Sequence, residues 1–487
     1  MRSEIRFLRR GRRMRLTGSA PTLTLLDYLR LTEHAVGSGE GCAEGDCGAC
    51  TVVLRKRVDD RLSYEPVNAC RLLAGQADGT EVITAEDLGD GAGLHPVQQQ
   101  LAVLHASQCG FCTPGFVMAL FALYHTPPEA RVHRRRVNDW IAGNLCRGYR
   151  PIVDAALASC GASAADRFTA QEREVVGTLG ALADADDLFV GSDSHFFAAP
   201  TSLEGLATLY AAHPDAVLVA SVTDVDLGIT RKLQELPQII WLGRVRGLDA
   251  IEDAPDAVTF GAMASHEAAI PHLAAIDPRL GALTRRFAGR QSRTIGTIVN
   301  GSPGGDTLPA LIAMGATLTL QRDDAQRRVA LEDSCLAYGK QDRGAAEFVR
   351  SLRVPKLKPN ERFHGYRISK RFDQDPSAVM GAFKFVLSRA RIEAARIAFG
   401  GMAATPKRAR RAEVALAGAD LTDETTWLPA LAALEQDVTP ITDQRTSASY
   451  RRAIARALLR KALIEVGGTP VRETRPVGIR ETADATA

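Results

Sequence analysis

Apolar positions alternate from the start of the chain. Ile5 and Phe7, then Met14 and Leu16, flank Gly11 with arginines between them, which predicts a hairpin with one charged, solvent-facing side. The runs TVVLRKRV and EVITAEDL predict further strands around a glycine-rich loop that carries cysteines, so residues 1–88 read as a small α+β domain. From His95 the period lengthens to that of helices in PVQQQLAVLHA, PGFVMALFALYH, RVNDWIAG and PIVDAALAS, which predicts a compact helical domain over 89–163. Trp140 and Phe116 to Phe121 fall at core spacing on these helices and need no cofactor to explain them.

Alanine, serine and aspartate then dominate, and residues 164–193 read as a linker, partly helical. A third domain, 194–360, alternates strand-like segments (AVLVASV, QIIWLG, AVTFGAM, ATLTLQR) with helical ones (TSLEGLATLYAAH, LPALIAMG). A fourth, 361–470, opens into the strand ARIAFGG and then TPKRARRAEVALAG, where Thr405 is placed to cap a helix and Pro406 to occupy its first turn. SYRRAIARALLRKALIEV is a final amphipathic helix, and 471–487 is a polar tail expected to be flexible. There is no internal repeat.

At 487 residues the chain is too long for one core. A net charge of +3 argues against nucleic acid or an anionic membrane as the main partner, and no apolar run reaches membrane-spanning length, so a soluble, cytoplasmic protein is expected. The basic opening RFLRRGRRMRL is not followed by the apolar stretch of a secretion signal. Of nine cysteines, four lie between positions 42 and 70 and three between 109 and 146. In a large chain such clusters point to metal ligation rather than a disulfide framework.

The segment EGCAEGDCGACTVVL spaces Cys42, Cys47 and Cys50 as C-x4-C-x2-C, and Cys70 completes a four-thiolate set with the spacing of a plant-type [2Fe–2S] site. Gly41, Gly45 and Gly48 let the loop wrap closely and aim amides at sulfur. The same four thiolates could hold a structural zinc ion, although zinc sites favour paired short spacings. A second group begins at Gln108, with Cys109 and Cys112 ahead of a helix opened by Pro114, where the helix dipole favours anionic sulfur. A CxxC alone also suits a redox dithiol or half of a zinc site. Cys146, in GNLCRGYRP, is a third candidate ligand. The ten histidines form no H-E-x-x-H pattern, so His95, His105 and His125 read as ordinary helix or loop residues, and Arg134, Arg135 and Arg136 as a solvated helix face. Cys335 reads as a buried small hydrophobe. No G-x-G-x-x-G follows a strand, which argues against a Rossmann site.

The segments CAEGDCGACTVVL, SQCGFCTPGFVM, GNLCRGYRPI, YRISKRFDQDPSAV and IAFGGMAATPKRA resemble the iron–sulfur/FAD small subunits of bacterial xanthine dehydrogenases, in the molybdenum hydroxylase family. The resemblance implies a multidomain α+β chain: a ferredoxin-like β-grasp [2Fe–2S] domain, a helical [2Fe–2S] domain, and a vanillyl-alcohol-oxidase-type FAD domain with an α+β C-terminal domain. It implies Cys42, Cys47, Cys50 and Cys70 as ligands of one cluster, and Cys109, Cys112 and Cys146 as ligands of the other. Gln108 corresponds to a position that approaches the pterin. For FAD it implies a first loop with Leu218, Val219, Ser221, Thr223 and Asp224, and a second with Gly296, Thr297, Asn300, Ser302 and Asp306, together with Arg367 and Lys370. It further implies a molybdopterin-binding large subunit as partner, in a heterotetramer of two small and two large chains. Electrons from hypoxanthine or xanthine, in purine catabolism, would pass through the clusters to FAD and NAD. That order is physically sensible, because clusters move single electrons and a flavin converts them into the two a hydride acceptor takes. An aldehyde or N-heterocycle substrate is an alternative, and a zinc-stabilised, non-redox binding protein is an alternative of another class.

Three stretches depart from the family's pattern. Ser221 and Asp226 stand where glycines are usual, and a carboxylate aimed at phosphate would repel it. The second loop runs straight from Ile298 to Val299 and Asn300, without the usual Gly-Gly-Asn turn. GNLCRGYRP lacks the Cys-Thr expected after Arg147, which leaves one iron incompletely ligated and leads to a labile cluster, a substitute ligand or no cluster. Cys160 lies beyond a helix that starts near Pro151 and would be carried away from the site. Inserting Cys-Thr between Arg147 and Gly148 is expected to raise iron per chain in anaerobically purified protein. Unchanged iron would mean that another residue already fills the fourth position.

Overall fold

The computed structural model describes residues 1–89, 93–126, 132–141, 149–160, 166–221, 225–288, 305–337, 339–370, 377–469 and 474. The chain divides into two compact units, Met1–Arg246 with Ala288–Arg293, and Gly247–Phe287 with Thr294–Ala487.

The first unit opens with the predicted hairpin, β1 (Ile5–Arg9) and β2 (Arg12–Leu16). Arg10 and Gly11 both have positive φ, 51° and 73°, a two-residue turn whose twist matches that of the strands. With β3 (Thr51–Val58), β4 (Arg61–Asn68) and β5 (Glu81–Ile83) they form a sheet in the order β2-β1-β5-β3-β4, in which only β1 and β5 run parallel. A short helix, α1 (Leu25–Asp27), starts at Thr24, whose side chain accepts from the Asp27 N–H.

Side chains alternate across a strand, and β3 is buried on both sides. Val52 and Leu54 join Ile5, Phe7 and Leu25 in one core, while Val53 joins Ile83 in another. That second core is filled by α2 (Pro96–Val103), α3 (Thr113–Tyr124), α4 (Arg134–Ile141) and α5 (Arg150–Ser159), which match the predicted helices. Helix α3 is buried from Gly115 to Tyr124, as befits a helix apolar all round. The stretch read as a linker holds α6 (Arg167–Ala170), α7 (Glu172–Leu182) and β6 (Leu188–Ser192), and α7 packs Val175, Leu179 and Leu182 against Leu8.

Strand β6 pairs antiparallel with β7 (His195–Ala199), and α8 (Leu203–Ala212), β8 (Val217–Val219), α9 (Val225–Thr230) and β9 (Gln238–Trp241) follow, giving a sheet in the order β6-β7-β9-β8. Leu188, Val190, Phe197, Val219 and Ile239 of this sheet enter the same core as Val52 and Leu54. The cysteine-bearing sheet is thus a partition, with helices on one face and the first lobe of the third predicted domain on the other. Arg2 pairs with Asp78 at 2.6 Å and with Asp184 at 2.8 Å, and Arg244 reaches Asp184 at 2.9 Å, so charges buried along this seam are paired.

In the second unit, β10 (Ile251–Asp253), β11 (Ala257–Gly261), β12 (Thr317–Arg322), β13 (Ala325–Ala330) and β16 (Phe348–Pro355) form an antiparallel sheet in the order β10-β11-β16-β12-β13. It packs with α10 (His266–Ile276), α11 (Pro278–Ala288) and α12 (Thr307–Met314), and β14 (Cys335–Ala337) pairs with β15 (Lys340–Gln341) at its side. A second antiparallel sheet runs β17 (Glu361–Ile368), β18 (Val379–Ser388), β19 (Arg391–Gly400) and β20 (Lys407–Arg408). Along β18, Met380 and Ala382 face the core of α12, whereas Val379, Phe383 and Phe385 face α13 (Arg410–Ala415), α14 (Leu428–Asp437) and α15 (Ala448–Val466).

The helix expected to start at Pro406 starts instead at Arg410. Lys407 and Arg408 pair with Phe399 and Ala398, and the Arg408 guanidinium is held by Glu413 and Glu332. Strand pairing outcompetes the local helix-start signal. Among the described residues no helix is long and apolar enough to cross a membrane.

Arg55 is 1% exposed and pairs with Glu81, while its guanidinium also donates to the Phe168 carbonyl at 3.3 Å. Glu81→Ala leaves that cation buried and unpaired and is expected to cost about 3–5 kcal/mol in urea denaturation. Glu65→Ala, which breaks the exposed pair with Lys56, is expected to cost less than about 1 kcal/mol.

Candidate metal centre

The loop before β3 gathers sulfur. Ala43, Gly45 and Gly48 all have positive φ, and these reversals turn successive N–H groups inward: Glu44, Asp46 and Cys47 donate to Cys42 Sγ at 3.5, 3.3 and 3.3 Å, and Ala49 donates to Cys47 Sγ at 3.5 Å. Cys50, at the mouth of β3, lies 3.2 Å, sulfur to sulfur, from Cys70 at the end of β4. Asn68 Nδ2 donates to the Gly45 carbonyl at 2.7 Å and ties the loop to β4. A Cβ on Gly45 would sit 1.8 Å from the Arg71 side chain, so glycine there serves both the φ and the close packing.

All four residues are free cysteines. The Cys42 thiol is pushed down to about 5, first by the hydrogen bond from Cys47 and then, against burial, by the surrounding amides. Cys47 and Cys70 are pushed up by their thiol neighbours and by burial. The sulfurs meet as two pairs, Cys42 with Cys47 and Cys50 with Cys70, that share protons poorly, and a multivalent metal centre that takes them as thiolates relieves the conflict. The donor set and its amide cradle fit a [2Fe–2S] centre.

Cys112 is half-buried immediately before α3, and Cys109 is exposed. Between them, the Phe111 ring lies against Gly41, and Gly115 meets the Gly48 carbonyl, so the CxxC turn rests on the first sulfur loop. Cys146 lies outside the described residues. Cys160 is buried with its thiol toward the Leu120 carbonyl, about 12 Å along α3 from Cys112 at helical rise, and so is committed to the helical core. Cys335, expected to be buried, is half-buried. Gln108 and Cys109 sit at an exposed turn with Val103 and Phe111 also exposed.

Of the residues implied for FAD, Leu218, Val219 and Ser221 belong to the first unit, with the Val219 side chain in the shared core. Asp306, Arg367 and Lys370 belong to the second unit. Arg367 pairs with Asp306 at 3.1 Å and donates to Ser377 Oγ at 3.1 Å. Burial pushes the Asp306 carboxyl up to about 6, against the Ser377 hydrogen bond and the Arg367 charge. Lys370 donates to the Gln444 carbonyl. Thr223, Asp224, Gly296, Thr297, Asn300 and Ser302 lie outside the described residues, as does the Asp226 side chain.

A group that spacing did not reveal is His95, His125 and Asp166. Both Nε2 atoms meet Asp166 Oδ2, at 2.8 and 3.0 Å. Two imidazoles and a carboxylate could bind a cation. The tautomer argues otherwise: Val97 N–H donates to His95 Nδ1, so the ring proton sits on Nε2 and is donated to Asp166. Burial pushes the His125 imidazole down, against the hydrogen bond to Asp166 and its charge. Burial works to raise the Asp166 carboxyl, and the hydrogen bonds from His125 and His95 outweigh it, holding it well below the usual range. The three residues form a clamp in which His95 caps α2 and Asp166 caps α6.

The sites and folds define an iron–sulfur flavoprotein: a ferredoxin-like and a helical iron–sulfur domain, then a vanillyl-alcohol-oxidase-type FAD-binding domain and an α+β C-terminal domain. Residues 9–75 match the 2Fe-2S iron-sulfur cluster binding domain, 84–157 the [2Fe-2S] binding domain, 192–357 the FAD binding domain in molybdopterin dehydrogenase, and 364–466 the CO dehydrogenase flavoprotein C-terminal domain. Xanthine dehydrogenase of Emericella nidulans is 31% identical over 89% of this chain and 36% of its own length, and xanthine dehydrogenase/oxidase of Rattus norvegicus is 29% identical over 82% and 34%. The chain therefore spans about a third of the length of the curated relatives it matches. A solved Cu,Mo-CO dehydrogenase chain aligns with a TM-score of 0.50 at 25% identity, covering 54% of this chain and 94% of that one. CO dehydrogenase from Oligotropha carboxidovorans aligns with the same score at 24% identity, over 56% and 96%, a likeness of fold. This chain belongs to the molybdenum hydroxylase (xanthine dehydrogenase/CO dehydrogenase) family, of which it carries an iron–sulfur and FAD-binding part.

A Cβ on Gly115 would lie 2.1 Å from the Gly48 carbonyl oxygen, a backbone atom that cannot swing aside. Helix propensity alone favours Gly115→Ala by about 1 kcal/mol. Forced overpacking costs about 1–3 kcal/mol, so the variant is expected to be destabilised, which chemical denaturation measures by sign.

Proposed function

We propose that the chain is the electron-transfer subunit of a xanthine dehydrogenase-type molybdenum hydroxylase. In this reading a large partner subunit holds molybdopterin and oxidises hypoxanthine and xanthine in purine catabolism, two small and two large chains assemble in the cytoplasm, and NAD is the final acceptor. The observation that carries it is the set Cys42, Cys47, Cys50 and Cys70, gathered under amide donors on a sheet whose core continues into the lobe bearing the first flavin loop. The similarity to xanthine dehydrogenases of a fungus and a mammal supports the substrate assignment.

Cys42, Cys47, Cys50 and Cys70 would hold one [2Fe–2S] cluster, and Cys109, Cys112 and Cys146 the thiolate part of a second. The loop residues Leu218, Val219, Ser221, Thr223 and Asp224, then Gly296, Thr297, Asn300, Ser302 and Asp306, with Arg367 and Lys370, would line the FAD site. When bound, the clusters supply one-electron transfer and the flavin the two-electron exchange with NAD. The protein's part is to orient: amides stabilise thiolate charge at Cys42, and the Phe111 and Gly115 contacts hold the second cysteine turn against the first. A hydroxylase acting on another substrate is the second reading, favoured by the match of 364–466 to the CO dehydrogenase flavoprotein domain.

Anaerobically purified protein is expected to contain iron, acid-labile sulfide and FAD. About four irons per chain would mean both clusters form and about two that only the first does. A colourless, zinc-loaded protein would overturn the assignment. Assay of the complex with its molybdenum subunit on xanthine against aldehydes and N-heterocycles separates the two readings.

A further inference from the structure

The Cys42 cradle is held from outside its own domain. Helix α9 continues from the segment implied as the first flavin loop, and its last residue, Thr230, donates its hydroxyl to the Ala43 carbonyl at 2.6 Å, across 187 residues of sequence. Ala43 is the non-glycine residue of this loop held at positive φ, 51°. Its carbonyl and the Glu44 N–H are the two ends of one planar peptide unit, and that N–H donates to Cys42 Sγ at 3.5 Å. Rotating this peptide therefore moves both bonds together. Arg231 follows and its guanidinium pairs with the Glu44 carboxylate at 2.9 Å, so the next residue of the flavin lobe meets the side chain that leaves this peptide, while Thr230 holds the peptide itself. The ion pair is exposed and weak; the hydroxyl bond is partly buried and directional.

We propose that Thr230 is a positioning residue for electron transfer: by fixing the Ala43–Glu44 peptide it sets the N–H···S bonding at Cys42 and mechanically joins the flavin lobe to that sulfur. The inference rests on Cys42 being a cluster ligand. Hydrogen bonds to cluster sulfur stabilise the reduced, more negative state and raise the reduction potential. Losing the anchor lets the peptide turn and lowers it.

The test is a redox titration followed by electron paramagnetic resonance on the full chain, reading the cluster signal that a Cys42→Ser control alters, with iron and FAD assayed alongside. Thr230→Val keeps the shape and removes the donor; its midpoint is expected to shift to more negative potential, at unchanged iron. Thr230→Ser keeps the donor and is expected to restore the wild-type midpoint. An unchanged midpoint in Thr230→Val at full iron overturns the proposal. If the valine variant loses its iron, the serine variant decides: a wild-type midpoint supports the hydroxyl's role, and loss of iron there too makes the contact one of packing alone and overturns it. Wild-type protein without iron at this site would instead bring down the function proposed above, so the two failures are told apart.

Discussion

Burial of β3 on both faces is the constraint on which the first unit depends. Val52 and Leu54 on one face and Val53 on the other are each sealed from water, and a fully buried aliphatic side chain is worth about 1.5–3 kcal/mol. Because the strand cannot shift register without exchanging those faces, Cys50 at its mouth is fixed relative to both the helices and the flavin lobe. The sulfur loop inherits its position from that strand. Phe111 and Gly115 from one side and Thr230 from the other reach the loop from elements packed on β3's two cores.

Several buried charges in both units have a named polar counterpart. Arg55 has Glu81, Arg2 has Asp78 and Asp184, Arg367 has Asp306, and Asp166 has two imidazole donors. Such pairs add little net stability compared with apolar packing, but removing one member is costly, so they specify where elements dock. The Asp166 clamp shows this use, since it ties the start of α6 to the start of α2 and the end of α3.

Much of the fold was legible because its signals are local. The Arg10–Gly11 hairpin, the four helices after His95 and the final helix at Ala448–Val466 follow from period and turn chemistry within a few residues. The TPKRARR segment misled for the converse reason: its helix-start signal is local, whereas the pairing of Lys407 with Phe399 that overrides it is not. At the site, the C-x4-C-x2-C spacing pointed to Cys42, Cys47 and Cys50, and the return of β4 brings in Cys70. His95, His125 and Asp166 left no such mark, because residues spread over 71 positions share no motif.

By itself the sequence determined the kinds of element and the sulfur chemistry, since periodicity, glycine content and thiol spacing act over short stretches of backbone. Only the tertiary structure decided that the segment read as a linker supplies helices and a strand, that Cys160 belongs to the helical core, and that Thr230 holds the peptide beside Cys42. Those outcomes depend on which buried faces meet, and a face finds its partner through packing across the whole unit rather than through any residue near it in the chain.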